Sequence, residues 1–383
     1  MKNIYLDYAA TTPVDKRVVK AMEPYFIKKF GNTMSLHYFG QEAKLILEQS
    51  RGIVANLISA DAKEIIFTGS ATESNNFALK GVAFANRDKG NHIIISSIEH
   101  PCIEESVKWL GSRGFEITKI LVDKHGLVNP EDIKKAITEK TILVSIIHAS
   151  NEIGTIQSIE EIGGICKQKK IYFHTDASQS FGKVPIDVNK MNIDLLTASS
   201  HKIYGPKGAG LLYIRKGIKI EPLLHGGGQE NGLRSSTINL ASIVGFSEAV
   251  KICKKEMKTE NKRLEMLRNK LIKEVLKIKN CRLNGDRKKR LANNINFSFD
   301  FIEGESLVIQ LDMHGIACST GSACSSIKLE PSNVLLAIGL RPEQAHGSLR
   351  ISLGRWTTEK EIDYLLKVLP EIIKKIRAIS PFK

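Results

Sequence analysis

Ile171-Tyr-Phe-His-Thr-Asp176-Ala-Ser-Gln179-Ser is followed at short range by Leu195-Leu-Thr-Ala-Ser199-Ser-His201-Lys202-Ile-Tyr-Gly-Pro-Lys-Gly208. Each stretch is a short apolar run that ends in a polar turn. Such runs read as buried strands, and ligands of a parallel sheet sit beyond the carboxyl ends of its strands. The two turns therefore put an acid, Asp176, and an amine, Lys202, on one edge. Working outward, similar runs occur at Glu64-Ile-Ile-Phe-Thr68, His92-Ile-Ile-Ile-Ser-Ser97, Phe115-Glu-Ile-Thr-Lys-Ile120, Ile142-Leu-Val-Ser-Ile-Ile147 and Gly210-Leu-Leu-Tyr-Ile214. Most are separated by enough chain for a crossover helix. We expect an α/β fold with a mainly parallel sheet covered by helices on both faces. His100 and Asn151 each follow one of these runs and join Asp176 on the same edge.

After His225-Gly-Gly-Gly-Gln-Glu-Asn-Gly232 the character changes. An amphipathic helix from about Ser242 to Lys277 repeats Leu264, Leu267, Leu271 and Val275 on one face and leads into a second, smaller α+β domain. That domain has strand-like runs at Ala292–Phe299 and Gly347–Leu353. Its last helix opens at Thr358, with Glu361 three residues on, as in a capping box. We place the large domain at residues 15–251 and the small one at 252–383, with residues 1–14 packing against the latter.

The 383 residues carry a formal net charge of +15 and six cysteines, none in a CxxC pair. A reduced, cytoplasmic compartment fits such cysteine usage. Cys318 and Cys324 match no common zinc spacing, so no structural metal is expected. No run approaches the ~18 apolar residues of a membrane span. The lysines are spread along helix faces and the densest cluster, Asp286-Arg-Lys-Lys-Arg290, lacks interleaved aromatics, which argues against nucleic acid and for an acidic protein partner.

Asp176 and Lys202 are the residue types that pyridoxal phosphate needs, a carboxylate to keep its pyridine nitrogen protonated and an amine for its Schiff base. A lysine on a turn is ordinarily just solvated; here Ser199, Ser200 and His201 stand beside it as phosphate donors. Thr68-Gly-Ser-Ala71-Thr72 reads as a strand turning into a helix N-terminus, a phosphate site or an ordinary N-cap. His100 is either a structural histidine or a ring that stacks on the cofactor and relays a proton. Arg350 can take a carboxylate in two-pronged fashion or pair with a surface acid. Cys324 lies in Gly321-Ser-Ala-Cys-Ser-Ser326, small residues that bury little and suit a mobile nucleophile, whereas Cys166 and Cys253 read as core.

Taken in order, Tyr5-Leu-Asp-Tyr-Ala-Ala-Thr-Thr-Pro13, Gly69-Ser-Ala-Thr-Glu-Ser-Asn-Asn76, Glu99-His100, Asn151-Glu-Ile-Gly-Thr155, His174–Ser180, Ser200–Gly208, Gly226-Gly-Gly-Gln-Glu230, Gly321–Cys324 and Leu349-Arg-Ile-Ser-Leu-Gly-Arg355 resemble the cysteine desulfurases. These are the NifS/IscS-like branch of the class V aminotransferases, of pyridoxal-phosphate fold-type I, and the likeness spans nearly the whole chain. It implies that Lys202 bonds the cofactor, Asp176 pairs its ring nitrogen, Gln179 meets its hydroxyl and His100 stacks on it. Thr72, Ser199, His201 and the Ala71–Thr72 backbone would hold the phosphate. Thr237 would reach the phosphate of a neighbouring subunit in a homodimer. Asn32, Asn151 and Arg350 would bind L-cysteine, and Cys324 would carry its sulfur as a persulfide to an iron–sulfur scaffold or another acceptor, with a transient role as iron–sulfur ligand. Two positions depart from the family pattern: Thr33-Met34-Ser35 follows Gly31-Asn32 where Pro-Ser-Ser is common, and Ser150 replaces a frequent asparagine. The Arg-x-Gly-His-His-Cys signature of the short-loop branch is missing. An aminotransferase or selenocysteine lyase-like enzyme is the alternative within the fold; a basic binding module is the alternative outside it.

Overall fold

The computed structural model describes residues 3–321 and 331–380. Its strands, in chain order, are β1 (Ile4–Tyr5), β2 (Ile65–Thr68), β3 (His92–Ser96), β4 (Glu116–Ile120), β5 (Thr141–Ser145), β6 (Tyr172–Asp176), β7 (Leu195–Ser199), β8 (Gly210–Ile214), β9 (Cys281–Leu283), β10 (Asn294–Phe299), β11 (Ile316–Ala317) and β12 (Ser348–Ser352). Seven form one sheet in the order β2-β8-β7-β6-β5-β3-β4. Neighbours from β7 to β4 are parallel, whereas β8 runs antiparallel to both β7 and β2. The segment between β7 and β8 is too short for a crossover helix, so the chain turns straight back.

Successive strand residues feed opposite faces, both covered by helices, which is why the central runs are largely apolar. Ile65, Phe67, Ile94, Val144 and Phe173 pack with the helix Tyr38–Leu57 and the start of the helix Leu240–Val275. Ile66, Ile93, Ile95 and Leu143 pack on the other face with Phe77 and Val107, from the helices Ala71–Ala85 and Pro101–Gly111. The long helix spans 36 residues, starting two residues earlier than the apolar repeat suggests because Asn239 caps it by accepting from Ser242 N. Its first part, through Cys253, belongs to the sheet's core, and Leu264 to Val275 belong to a second core with Phe297, Leu349 and Leu369.

That second core covers the antiparallel sheet β12-β10-β9, while β1 pairs in parallel with β11 and Asp7 bridges Ser352. The last helix, Glu359–Ile379, has the expected capping box: Thr358 N donates to Glu361 Oε2 and Glu361 N donates to Thr358 Oγ1. Among the described residues no helix is long and apolar enough to cross a membrane.

Candidate active site

The carboxyl ends of β3, β5, β6 and β7 open onto a cavity of about 300 Å³, lined among others by Ala9, Ala71, Thr72, Asn75, His100, Asn151, Asp176, Gln179, Ser199, His201, Lys202 and Arg350. Asp176, the last residue of β6, is 4 % exposed. Its Oδ2 accepts from Asn75 Nδ2 at 2.7 Å, and its Oδ1 accepts from Ser178 N at 2.8 Å and Ser178 Oγ at 2.5 Å. A buried carboxylate supplied with donors in this way stays oriented toward the cavity.

Lys202 ends the short 3₁₀ turn Ser200–Lys202 that follows β7, and its Nζ donates to the Ala9 and Ala10 carbonyls at 2.6 and 2.7 Å. Gln179 Nε2 donates to the same Ala9 oxygen at 2.9 Å. The N-terminal segment thus bridges the amine and the amide. His201 Nδ1 lies 3.1 Å from Thr11 Oγ1. Burial, with Lys202, Lys207 and Lys183 adding repulsion, pushes its imidazole down to about 4, so it is neutral at pH 7.

Ser70 is the N-cap of the helix Ala71–Ala85, accepting from Glu73 N at 3.1 Å, so the Ala71 and Thr72 amides sit at the positive end of a four-turn helix. A side chain at Gly210 would meet the Ser70 carbonyl carbon at 2.6 Å, so glycine is what lets β8 start against this turn. Ser199 and His201 line the same cavity and add donors that could take an anion, Asp176 and Asn75 add a carboxylate with its hydrogen-bonded amide, and Lys202 adds an amine. That donor set fits pyridoxal phosphate: phosphate donors, a carboxylate for a ring nitrogen, and one amine.

His100 is the N-cap of the helix Pro101–Gly111. Burial lowers its pKa from the ordinary 6.5, Asp176 raises it and Lys202 lowers it further. Cys102, two residues along, also lines the cavity, and burial raises its thiol to about 12.

Arg350, from β12, is 2 % exposed. Its Nη2 donates to Asp7 Oδ1 at 2.9 Å and its Nη1 to the Asn151 and Gly321 carbonyls at 3.2 and 3.4 Å. Its Nε is buried and has no hydrogen-bond partner among the described residues. Arg350 is therefore no surface ion pair, and its guanidinium keeps a donor in reserve. Ser150, at the departed position, accepts from Glu152 N and Ile153 N at 3.3 Å each and closes the turn that presents Asn151.

Two expected site residues are not brought to this cavity by their own chain. Asn32 is exposed and accepts from Met34 N at 2.9 Å, and Thr237 is exposed in the loop before the long helix. Cys324 lies outside the described residues. Asn75, Cys102 and the Ala9 and Ala10 carbonyls are site groups that the residue-by-residue reading did not single out.

The sequence profile described as aminotransferase class-V matches residues 4–365. The chain is 53 % identical over 383 residues to the cysteine desulfurase IscS of Dictyoglomus turgidum, covering 100 % of this chain and 97 % of that protein. Among solved structures it resembles a NifS-like protein, with a TM-score of 0.92 and 40 % identity over 97 % of this chain and 100 % of the other. It also resembles a structure described as SspA in complex with cysteine, with a TM-score of 0.82 and 38 % identity over 93 % of this chain and 100 % of the other.

Proposed function

This chain belongs to the class V aminotransferase family, and from that premise we propose that it is a pyridoxal-phosphate-dependent cysteine desulfurase. The observation that carries this reading is the convergence of Asp176, Lys202 and the Ser70–Thr72 turn on one cavity whose far wall is Arg350. The bound cofactor supplies an electron sink for the bond changes at the substrate α- and β-carbons. Asp176 holds a proton on its ring nitrogen, Gln179 meets its hydroxyl, and His100 lies against its ring. Thr72, Ser199, His201 and the Ala71–Thr72 amides hold its phosphate.

Arg350 binds the carboxylate of L-cysteine, aided by Asn151; the spare Nε donor and the fixed Nη contacts support this, since a planar fork grips a carboxylate best when it cannot rotate. Lys202 Nζ moves the proton at the substrate α-carbon. Cys324 thiolate takes the substrate sulfur, forming a Cys324 S–S bond as the substrate C–S bond breaks. A proton fills the β-carbon, so alanine leaves and one persulfide remains. The persulfide passes to an acidic acceptor such as an iron–sulfur scaffold, drawn by the +15 charge.

The working unit is a homodimer. Phe26, Ile27, Phe30, Met34, Leu36 and Tyr38 are all more than half exposed on one stretch of chain, at 57–91 %. Such an apolar surface suits a second copy. Asn32 lies within it, and with Thr237 would complete the partner's cavity.

Incubating the cofactor-loaded protein with L-cysteine and a reductant should yield alanine and sulfide in equal amounts. Formation of a keto acid in place of alanine would mark the protein as a transaminase and end this reading.

A further inference from the structure

Gly321 and Ser332 flank the stretch of chain that holds Cys324, and they are attached to different parts of the molecule. Gly321 is held to β12: its N donates to Ser348 Oγ at 3.3 Å and its carbonyl accepts from Arg350 Nη1 at 3.4 Å. Ser332 is the N-cap of the short helix Asn333–Ala337, accepting from Leu335 N at 3.2 Å. Val334, Leu335 and Ile338 pack with Ile98 and Ile147, just beyond β3 and β5, and with Ile153. One end therefore rests on the smaller sheet and the other on the large one.

Both ends meet one buried side chain. Glu152 is 5 % exposed, and its Oε2 accepts from Ser332 Oγ at 2.5 Å. That hydroxyl oxygen already accepts from Leu335 N, which leaves its one proton for the carboxyl. A Cβ at Gly321 would come within 2.8 Å of the same Glu152 Oε2 and 3.3 Å of Ser332 Cβ, so glycine is what lets the two ends and the carboxyl pack together. Glu152 also follows Asn151, whose carbonyl accepts from the same Arg350 Nη1 that donates to Gly321. Asn151 and Arg350 line the cavity, whereas Glu152 does not.

We propose that Glu152 is a positioning residue for sulfur transfer: through the Ser332 hydroxyl and the close approach of Gly321 it holds together the two ends of the stretch that carries Cys324 and registers them against Arg350. The effect on transfer rests on the desulfurase reading; the contact between the ends does not. Holding a reacting group in place speeds its step without strengthening substrate binding. Loss of the contact should accordingly slow the arrival of sulfur on Cys324 and spare the capture of cysteine.

The test compares wild type with three variants. Ser332→Ala removes the hydroxyl; Ser332→Asn has an amide that can cap the helix and donate to Glu152; Glu152→Leu removes the acceptor and leaves the cap. In the substrate-free holoenzyme, hydrogen–deuterium exchange at residues 316–321 should quicken about fivefold in Ser332→Ala and Glu152→Leu, whereas loss of the helix cap alone would be felt only at residues 333–337. On adding L-cysteine, the rate at which Cys324 gains sulfur, read by mass spectrometry of quenched samples, should fall about tenfold in both. The cysteine concentration that half-saturates the cofactor's absorbance change should move by less than about twofold. Ser332→Asn should stay near wild type in every readout. If Glu152→Leu does not fold, the two Ser332 variants decide alone. Exchange confined to residues 333–337 in Ser332→Ala, an unchanged rate of sulfur gain, or a fall in that rate matched by an equal loss of cysteine affinity would each overturn the inference. Coupled exchange at both ends with no sulfur on Cys324 even in wild type would instead count against the proposed function alone.

Discussion

The wall of the cavity carrying Asp176 and His100 and the wall carrying Arg350 hold their polar groups by different means. On the sheet side each group is fixed within the sheet and the helices that cover it: Asp176 by Ser178 two residues on and by Asn75 of the helix Ala71–Ala85, His100 by the first turn of its own helix. Arg350 depends on three distant pieces of chain, Asp7, Asn151 and Gly321. The sheet side is set once the strands and their helices form, whereas the Arg350 side is set only when the N-terminal segment and the second core dock. If chemistry resides on the sheet wall and substrate capture on the Arg350 wall, as proposed, damage to each should read out in different constants.

Asp176→Asn keeps the shape of the sheet wall and removes its charge. We expect kcat for alanine formation to fall by on the order of 10²-fold or more, with little change in KM or stability, because a preorganised charge is lost where the reaction needs it. A variant with near-normal kcat would erase the distinction between the walls. Arg350→Lys should do the reverse, raising KM about tenfold with a smaller fall in kcat, since an ammonium cannot reproduce the two-pronged contact. Equal losses in kcat and kcat/KM at this position would put Arg350 on the chemical side of the comparison.

The smallest effect on activity is expected at Glu99, behind the sheet wall. Glu99 is 5 % exposed, and its Oε1 accepts from Ser96 Oγ at 2.5 Å and Ile147 N at 2.8 Å. Burial raises its carboxyl from the ordinary 4.5 to about 8, so the folded protein holds a proton there at pH 7 that the unfolded chain releases. Its contribution to stability is full below about 4.5 and is lost as pH rises through about 8, at up to roughly 1.4 kcal/mol per pH unit between. Glu99→Gln keeps the accepting oxygen and cannot ionise. Urea unfolding from pH 5 to about pH 8 should therefore show a flatter stability profile in the variant than in wild type; parallel profiles would mean that Glu99 is ionised in the fold.

All seven strands of the main sheet are legible as short runs rich in β-branched and apolar residues, most of them buried, parallel or not. The reversal at β8 was legible in principle, from the short link after Ser199. Asp176, Lys202, Thr72, Ser199 and His201 announced themselves through residue type and position. The Ala9 and Ala10 carbonyls did not, since backbone contacts leave no mark in side-chain identity and lie far from Lys202 in sequence. Asn75 does carry a sequence signal: it stands three residues from Thr72, on the same helix face. Cys102 looked like one more scattered cysteine, because only the capping geometry of His100 turns it toward an imidazole. Asn32 and Thr237 are read from family likeness alone, and the single chain leaves both outside its own cavity.

The central claim is that sulfur leaves L-cysteine and comes to rest on Cys324. The direct measurement is peptide mass spectrometry of the holoenzyme after cysteine is added and excess substrate removed, on wild type and on Cys324→Ser and Cys318→Ser. One extra sulfur on Cys324 in wild type and Cys318→Ser, and none in Cys324→Ser, is the predicted result. Extra sulfur on Cys318 or Cys102, or full sulfide release by Cys324→Ser, would contradict it.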